Sequence, residues 1–127
     1  MITFFAVSKL TDEEIAVMRR HLSECEPFVR SEEPEKIQPL ANEFHQMIRN
    51  ACGNPYLLKM IYNMEAVDDA VMELHAMSSN RKSLLYKNYE EHIAIYEAIR
   101  TRDAHLAERL MTEHKRRLVD NALNRTL

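Results

Sequence analysis

The sequence predicts an all-α protein, an antiparallel bundle of about five to six helices. One glycine in 127 residues, no tryptophan, and 46% hydrophobic against 29% charged residues describe a helix-rich chain, because a β-sandwich or barrel needs many more turn residues. Apolar residues also recur every three or four positions along most of the chain. The length favours one domain over residues 1–127, and a domain of this size can bury roughly two-thirds of the surface that its unfolded chain exposes.

The first two predicted helices follow recognisable start signals. Thr11 and Glu14 have the spacing of a capping box, in which each side chain accepts a hydrogen bond from the other residue's backbone amide, so a helix is expected over residues 12–25. Its buried stripe consists of Ile15, Met18 and Leu22. Pro27 and the acidic segment 31–35 interrupt the pattern, and the next helix is expected from residue 34 or 35. The apolar side of that helix carries Ile37, Leu40, Ala41, Phe44, His45, Ile48 and Ala51.

Turn residues then separate the second predicted helix from the third. Gly53 is the only glycine and stands where a left-handed C-terminal cap is needed. Asn54 and Pro55 follow as an N-cap and a first-turn proline, which predicts a third helix over residues 55–77. Its apolar band is broad enough for contact on two sides, as in the long central helices of bundles.

The last two helices are predicted from further caps. Residues 78–83 are expected to form a loop, with a short helical turn possible at 84–86. Asn88 and Glu91 have capping-box spacing, so the fourth helix is expected to begin at Asn88 and to end at about residue 100 or 101. Asp103 is expected to cap a fifth helix that runs to about residue 123.

Charge and cysteine content narrow the function classes. The net charge of −3 and an isoelectric point near 6.1 provide no overall positive field for nucleic acid. The basic residues 115–117 are interpreted as complementing a helix C-terminus. Cys25 and Cys52 are unmatched thiols, which favour a reduced compartment and a structural role. Because no stretch approaches the ~18 continuous apolar residues of a membrane helix, a cytoplasmic protein without membrane contact is expected.

Three of the six histidines lie on the apolar stripes of separate predicted helices: His45, His92 and His114. A single buried histidine is usually a hydrogen-bonded core residue. Three together point to a shared metal, because neutral imidazoles are costly to bury unpaired and are the commonest metal ligands. The remaining histidines lack this placement and are predicted to be surface or interface residues; they are His21, His75 and His105.

Two blocks of sequence carry a family resemblance. The first block reads Phe44-His45-x-x-Ile48-x-x-Ala51-Cys52-Gly53-Asn54-Pro55-x-Leu57. The second reads Glu91-His92-x-x-Ile95-x-x-Ala98-Ile99-x-x-Arg102-Asp103-x-x-x-Ala107-x-x-x-Met111-x-x-His114. In this order and spacing the chain resembles, over about residues 11–118, the FCD effector-binding domain of FadR-subfamily GntR transcription regulators.

The resemblance implies an antiparallel bundle of six or seven helices that pairs into a homodimer. It also implies a divalent metal, held by one aspartate and three histidines, beside which a small carboxylate effector binds and changes DNA affinity. His45, His92 and His114 fall on the three histidine positions, with zinc or nickel as the expected ion. Tyr96, one turn past His92, and Arg102 are the candidate residues for binding the acid, although capping or an ion pair is the more ordinary role for Arg102.

The chain departs from the family pattern in two places. Ala41 stands where the family has its metal aspartate, one helical turn before the first histidine, so the site would rely on three neutral imidazoles, as three-histidine sites do. Only ten residues precede Thr11, with one lysine and no arginine, so a winged-helix DNA reader is not predicted within this chain and DNA would be reached only through such a domain. The apolar residues of that segment are expected to pack in a dimer or swapped interface; they are Phe4, Phe5, Val7 and Leu10.

Three functions remain open from the sequence. The leading one is a non-catalytic domain that senses a small organic acid. The second is a metal-dependent hydrolase, in which an open metal position activates water; against it, Glu91 and Glu43 each neighbour a metal-site histidine and should face about 100° away from it. The third is a dimerisation module whose histidines are merely satisfied within the core.

Overall fold

The computed structural model describes residues 2–56, 59–60 and 81–126, and all regular structure within these ranges is helical. The helices are α1 (Ile2–Lys9), α2 (Asp12–Arg30), α3 (Pro34–Ala51), α4 (Arg81–Arg100) and α5 (Ala104–Thr126). The predicted all-α class is therefore confirmed. Most of the helix predicted over residues 55–77 lies outside the described residues.

The described helices pack around one main core. Helix α1 packs against α3 and α5, α2 packs against α3 and α4, and α4 forms a hairpin with α5. The main core consists of Ala6, Val7, Leu10, Ile15, Met18, Leu22, Phe44, Ile48, Ile95, Tyr96, Ala98, Ile99, Ala107 and Met111. A smaller apolar cluster, formed by Cys25, Val29 and Ile37, lies near the end of α2. None of the helices in the described ranges combines the length and apolar character needed to cross a bilayer.

The start of α2 is as predicted, but its end is not. The Glu14 amide donates to the Thr11 hydroxyl at 3.1 Å and the Thr11 amide donates to the Glu14 carboxylate at 3.0 Å, which completes the capping box. The helix then continues past residue 25 and through Pro27 to Arg30. The predicted end at residue 25 was wrong. Pro27 removes only one backbone hydrogen bond of the helix, and the helix continues because Val29, two residues later, is buried in the smaller cluster.

Helix α4 begins earlier than predicted, at Arg81, so residues 81–83 are helical rather than a loop. Asn88 consequently lies inside the helix, and the predicted second capping box was wrong. The Asn88 side chain instead accepts a hydrogen bond from Arg117 on α5. The added helical turns are held by Leu85 and Tyr89, which pack against the smaller cluster.

The predicted turn residues behave as expected. Gly53 has φ +68°, in the left-handed region that favours glycine. The Tyr56 amide donates to the Asn54 side chain at 3.0 Å, and the Leu106 amide donates to the Asp103 carboxylate at 3.1 Å, so both N-caps are present. Helix α5 extends to Thr126, slightly further than predicted.

Helix α1 covers the main core within one protomer. Val7 and Leu10 are 1% and 2% exposed. Phe4 is half-buried with its ring against His105, and Phe5 is the exposed one of these four apolar residues. The expectation that this segment packs in a dimer interface was therefore wrong for Val7 and Leu10, because their own bundle already buries them.

Candidate metal and effector site

The structure brings the three predicted histidines together from three helices. His45 lies on α3, His92 on α4 and His114 on α5. The Nε2 atom of His92 lies 3.1 Å from Nε2 of His45 and 3.2 Å from Nε2 of His114. All three potential ligand atoms lie within 4.8 Å of one another.

Two of the three separations suit a tetrahedral metal site, whereas the third, within 4.8 Å, would shorten when a metal binds. A zinc–nitrogen bond of about 2.0–2.1 Å places two nitrogens of a tetrahedron roughly 3.3 Å apart, and both measured pairs are close to that value. Three imidazoles would leave at least one position for another ligand. The donor set is therefore compatible with zinc or another borderline divalent ion.

Packing holds the rings in place. His92 and His114 are 7% and 2% exposed, and His45 is half-buried. The Phe44 ring stacks on His92, with centroids 5.0 Å apart and an interplanar angle of 18°. Because Phe44 is itself almost fully buried, His92 has little freedom to turn away from the other two imidazoles.

Burial also keeps the three imidazoles neutral. Desolvation is the main cause of the lowered pKa of all three, and it lowers the pKa of His92 to about 3. The charges of the other two histidines lower the pKa of His45 further, while a hydrogen bond to Glu91 partly offsets the shift of His114. Neutral imidazole is the form that binds a metal.

Glu91 orients one of the three rings. Its carboxylate accepts a hydrogen bond of 2.7 Å from Nδ1 of His114 and is also bonded by the Arg117 guanidinium. Burial alone would raise the pKa of Glu91, but these hydrogen bonds outweigh it and lower the pKa, so the group is a carboxylate. Because His114 donates through Nδ1, its Nε2 presents a lone pair to the other histidines, an arrangement found behind many metal-bound histidines.

The sequence argument missed this contact. A 100° step does separate Glu91 from His92 on their own helix, but Glu91 reaches the histidine of the next helix instead. The sequence could have predicted this contact from the two helices joined by a short turn near Arg102. In such a hairpin, residues at equal distances before and after the turn face each other. That register pairs Glu91 with His114.

The other acidic and histidine residues lie elsewhere. Ala41 supplies no charge, and Glu43 lies 3.0 Å from His21 on α2. The His21 side chain is only 15% exposed, and its Nδ1 is buried without a hydrogen-bond partner among the described residues. His21 is therefore less exposed than a surface residue, and its interface alternative stays a prediction. His105 is exposed, as predicted. His75 lies outside the described residues.

The two predicted acid-binding residues are not placed alike. Tyr96 is 6% exposed within the main core, one turn past His92. Arg102 lies ten residues beyond His92, roughly 15 Å along a helix. Its guanidinium donates to the carbonyls of Val7 and Leu10 and contacts Asp12. The structure therefore does not bring Arg102 to the histidines, and its role here is to join the α4–α5 turn to the end of α1.

A small open pocket reaches the histidine centre from one side. Its enclosed cavity volume is about 30 Å³, and the empty space around it, open solvent included, is about 260 Å³. Helices α1, α3 and α5 form the walls of the pocket, and of the three histidines His45 lines it. The lining residues are Ile2, Thr3, His45, Ile48, Arg49, Met111 and Lys115.

Comparison with known proteins agrees with this architecture. The FCD domain model matches residues 1–117. The chain is similar to the HTH-type transcriptional repressor NanR of Cronobacter sakazakii, with 28% identity over 121 residues, which cover 87% of this chain and 41% of the repressor. The chain thus spans about two-fifths of the length of that curated relative. No solved structure matches the chain. With the family model covering nearly all of it, the chain belongs to the FCD domain family.

Proposed function

We propose that this chain is the ligand-sensing, effector-binding part of a GntR-type transcription regulator of the FadR subfamily. In this proposal His45, His92 and His114 hold a divalent metal, zinc or nickel, and a small organic acid binds beside it. A bound metal would offer an open coordination position to one oxygen of the acid. The regulatory, effector-binding role is that of the family, whereas the metal, the acid and the three ligand residues are specific to the proposal.

The observation that carries the proposal is the convergence of three neutral Nε2 atoms. Two of the separations are 3.1 and 3.2 Å, and the Glu91 carboxylate behind His114 directs its Nε2 toward the other rings. When Nε2 of each ring carries no proton, the three lone pairs meet in a buried site, and a cation would satisfy them together.

The position of the pocket suggests how binding is communicated. Ile2 and Thr3 at the start of α1 line the same pocket as His45 and Met111. An acid bound there would contact three helices at once and favour the packing that suits it. Because α1 is the described helix nearest the N-terminus, a change in its packing would reach a winged-helix domain preceding it in a regulator, and that domain would contact DNA.

Metal analysis of protein purified without an affinity tag tests the proposal. We expect about one zinc or nickel ion per chain, lost in His92→Ala and retained in the matched variant His105→Ala, which removes an exposed histidine of α5. A panel of carboxylates should then raise the melting temperature of the metal-loaded protein. Wild-type protein that binds neither zinc nor nickel would contradict the metal centre. Bound metal without any carboxylate response would contradict sensing.

Two further features of the proposal are tested separately. No described carboxylate contacts the Nε2 side of the centre, since Glu91 lies on the Nδ1 side of His114. A non-catalytic role is therefore proposed over a hydrolase. Ester hydrolysis that is abolished by His92→Ala would reverse that choice.

A homodimer is proposed from the family alone, because the N-terminal apolar residues that motivated it are largely buried in the protomer. Sedimentation of the full chain tests it.

A further inference from the structure

We propose that Arg117 is a positioning residue of the histidine centre, which holds the Glu91 carboxylate against Nδ1 of His114 and so fixes which nitrogen of that ring faces the metal. This inference rests on the proposed function and deepens it, since it names the residue that orders the site before a metal arrives. It also replaces the role in which Arg117 complements a helix C-terminus, because α5 continues past this residue to Thr126.

The Arg117 guanidinium forms a fork on the Glu91 carboxylate. Its Nε donates to Oε2 at 2.8 Å and to Oε1 at 3.0 Å, and one of its terminal nitrogens donates to Oε1 as well. The paired donors of a planar guanidinium fix the orientation of a carboxylate, whereas an ammonium acts as a point charge. The orientation of the Glu91 carboxylate is therefore set by Arg117.

One oxygen of Glu91 serves both of its neighbours on α5. Oε1 accepts hydrogen bonds from Arg117 and also accepts the hydrogen bond of 2.7 Å from Nδ1 of His114. His114 and Arg117 are three residues apart, so they lie on one face of α5. A rotation of the carboxylate away from the guanidinium would therefore also break its bond to the imidazole.

Asn88 holds the guanidinium from the other side. Its side-chain oxygen accepts a hydrogen bond from the same terminal nitrogen of Arg117 that bonds Glu91. The Arg117 and Glu91 side chains are 20% and 24% exposed, so water has limited access to these bonds and either partner would be costly to leave unpaired. These residues thus form a partly buried network between α4 and α5 that ends at His114.

The network determines the tautomer of His114. A neutral imidazole carries one proton, on Nδ1 or on Nε2, and only the unprotonated nitrogen can bind a metal. A fixed acceptor at Nδ1 keeps the proton there and leaves the Nε2 lone pair directed at His92, whose Nε2 is 3.2 Å away. Without the fork the carboxylate can turn toward solvent, and part of the His114 population then carries its proton on Nε2. Metal affinity falls, because that proton must move before the metal binds.

Two measurements on the full chain test the inference. Long-range 1H–15N correlation NMR of the metal-free protein reports which nitrogen of His114 is protonated, and titration against a competing chelator gives the zinc affinity. In the wild type we expect the tautomer protonated at Nδ1. Arg117→Gln should give a mixture of tautomers and bind zinc about tenfold more weakly, as is typical of groups behind a metal-bound histidine. Arg116→Gln makes the same charge change at the exposed neighbour and should match the wild type in both measurements.

A double-mutant cycle separates an action through Glu91 from an independent effect of the charge. Glu91→Gln and the double variant Glu91→Gln/Arg117→Gln should bind zinc equally weakly, because Arg117 then has no carboxylate to position. Asn88→Ala removes only the second anchor of the guanidinium, and should weaken zinc binding by about threefold, as expected for loss of one hydrogen bond.

The outcomes separate this inference from the proposed function. Wild-type protein that binds neither zinc nor nickel would overturn both. An unchanged zinc affinity or an unchanged His114 tautomer in Arg117→Gln would overturn only this inference, as would additive losses in the cycle or an equal loss in Arg116→Gln. If Arg117→Gln does not fold, Asn88→Ala decides, and an unchanged zinc affinity there counts against the inference. Mixed tautomers and a tenfold loss in Arg117→Gln, with no further loss in the double variant, support it.

Discussion

Two polar clusters join the helices of this protein, and they differ in what their atoms contact. At the turn between α4 and α5, the Arg102 guanidinium donates to the carbonyls of Val7 and Leu10, the first at 2.7 Å. At the histidine centre, the Nε2 atoms of three imidazoles face one another. The first cluster makes its hydrogen bonds to backbone carbonyls and a carboxylate of the chain, whereas the second brings together three ring nitrogens that could bind a metal. Residues of both clusters were candidates for binding a ligand, and only their partners distinguish a structural role from a binding one.

The largest expected effect is stabilisation by metal at the histidine centre. Zinc at about a thousand times its dissociation constant should raise the free energy of unfolding by about 4 kcal/mol, because a ligand that binds only the folded state stabilises it by mass action. Chemical denaturation with and without zinc measures this. His114→Ala should abolish the gain, whereas Arg102→Gln should keep it. A gain that survives in His114→Ala would remove the distinction between the two clusters.

The second effect is a dependence of stability on pH without metal. The folded pKa of each centre histidine lies below its unfolded value of about 6.5, and that of His92 lies at about 3. Below pH 6.5 the unfolded chain therefore binds more protons than the folded one, so stability is fully present at higher pH and falls as the pH drops. The fall between pH 7 and pH 6 should be at most about 2 kcal/mol for the three together.

Urea denaturation in chelator at several pH values measures this slope. His92→Asn should make it shallower, because one of the contributing groups is gone. A constant m-value is the control that the same unfolding is observed at each pH. A stability that is flat or rises between pH 7 and pH 6 would contradict buried neutral imidazoles.

The third effect concerns the carboxylate behind the centre. Glu91→Gln should weaken zinc binding about tenfold, since groups that hydrogen-bond a metal-bound histidine typically affect affinity by that much or more. Competition with a chromogenic chelator measures the zinc affinity. Glu97→Gln, which removes an exposed carboxylate of the same helix, is the matched control. Equal affinities in wild type and Glu91→Gln would show that Glu91 only bonds Arg117.

The histidine centre was largely predictable from sequence, and its surroundings were not. Three histidines on apolar stripes sufficed to predict convergence, because helical periodicity determines which face each one occupies. The contact of Glu91 with His114 required the register of the α4–α5 hairpin, which is a tertiary property.

Local signals predicted the helix ends well only where the cap was not outweighed by packing. Thr11, Gly53 and Asp103 act as predicted because each lies next to a helix end. Thr11 and Asp103 precede the first residues of α2 and α5, and Gly53 follows the end of α3. Pro27 and Asn88 carry equally strong local signals, but α2 and α4 continue through them. The buried Val29 on α2 belongs to the smaller cluster, and the partly buried Leu85 on α4 packs against it. Tertiary packing thus overrode local propensity at both positions.

The smallest expected effect is at the Arg102 cluster. Arg102→Gln should lower the free energy of unfolding by about 1 kcal/mol, because the lost hydrogen bonds to backbone carbonyls lie at a partly exposed junction where water can replace them. Arg100→Gln, which loses only an exposed ion pair with Glu97, should cost less than about 0.5 kcal/mol. The affinities for zinc and for carboxylates should be unchanged in both variants. A loss of carboxylate affinity in Arg102→Gln with no loss of stability would instead return Arg102 to the effector site and make the two clusters one functional unit.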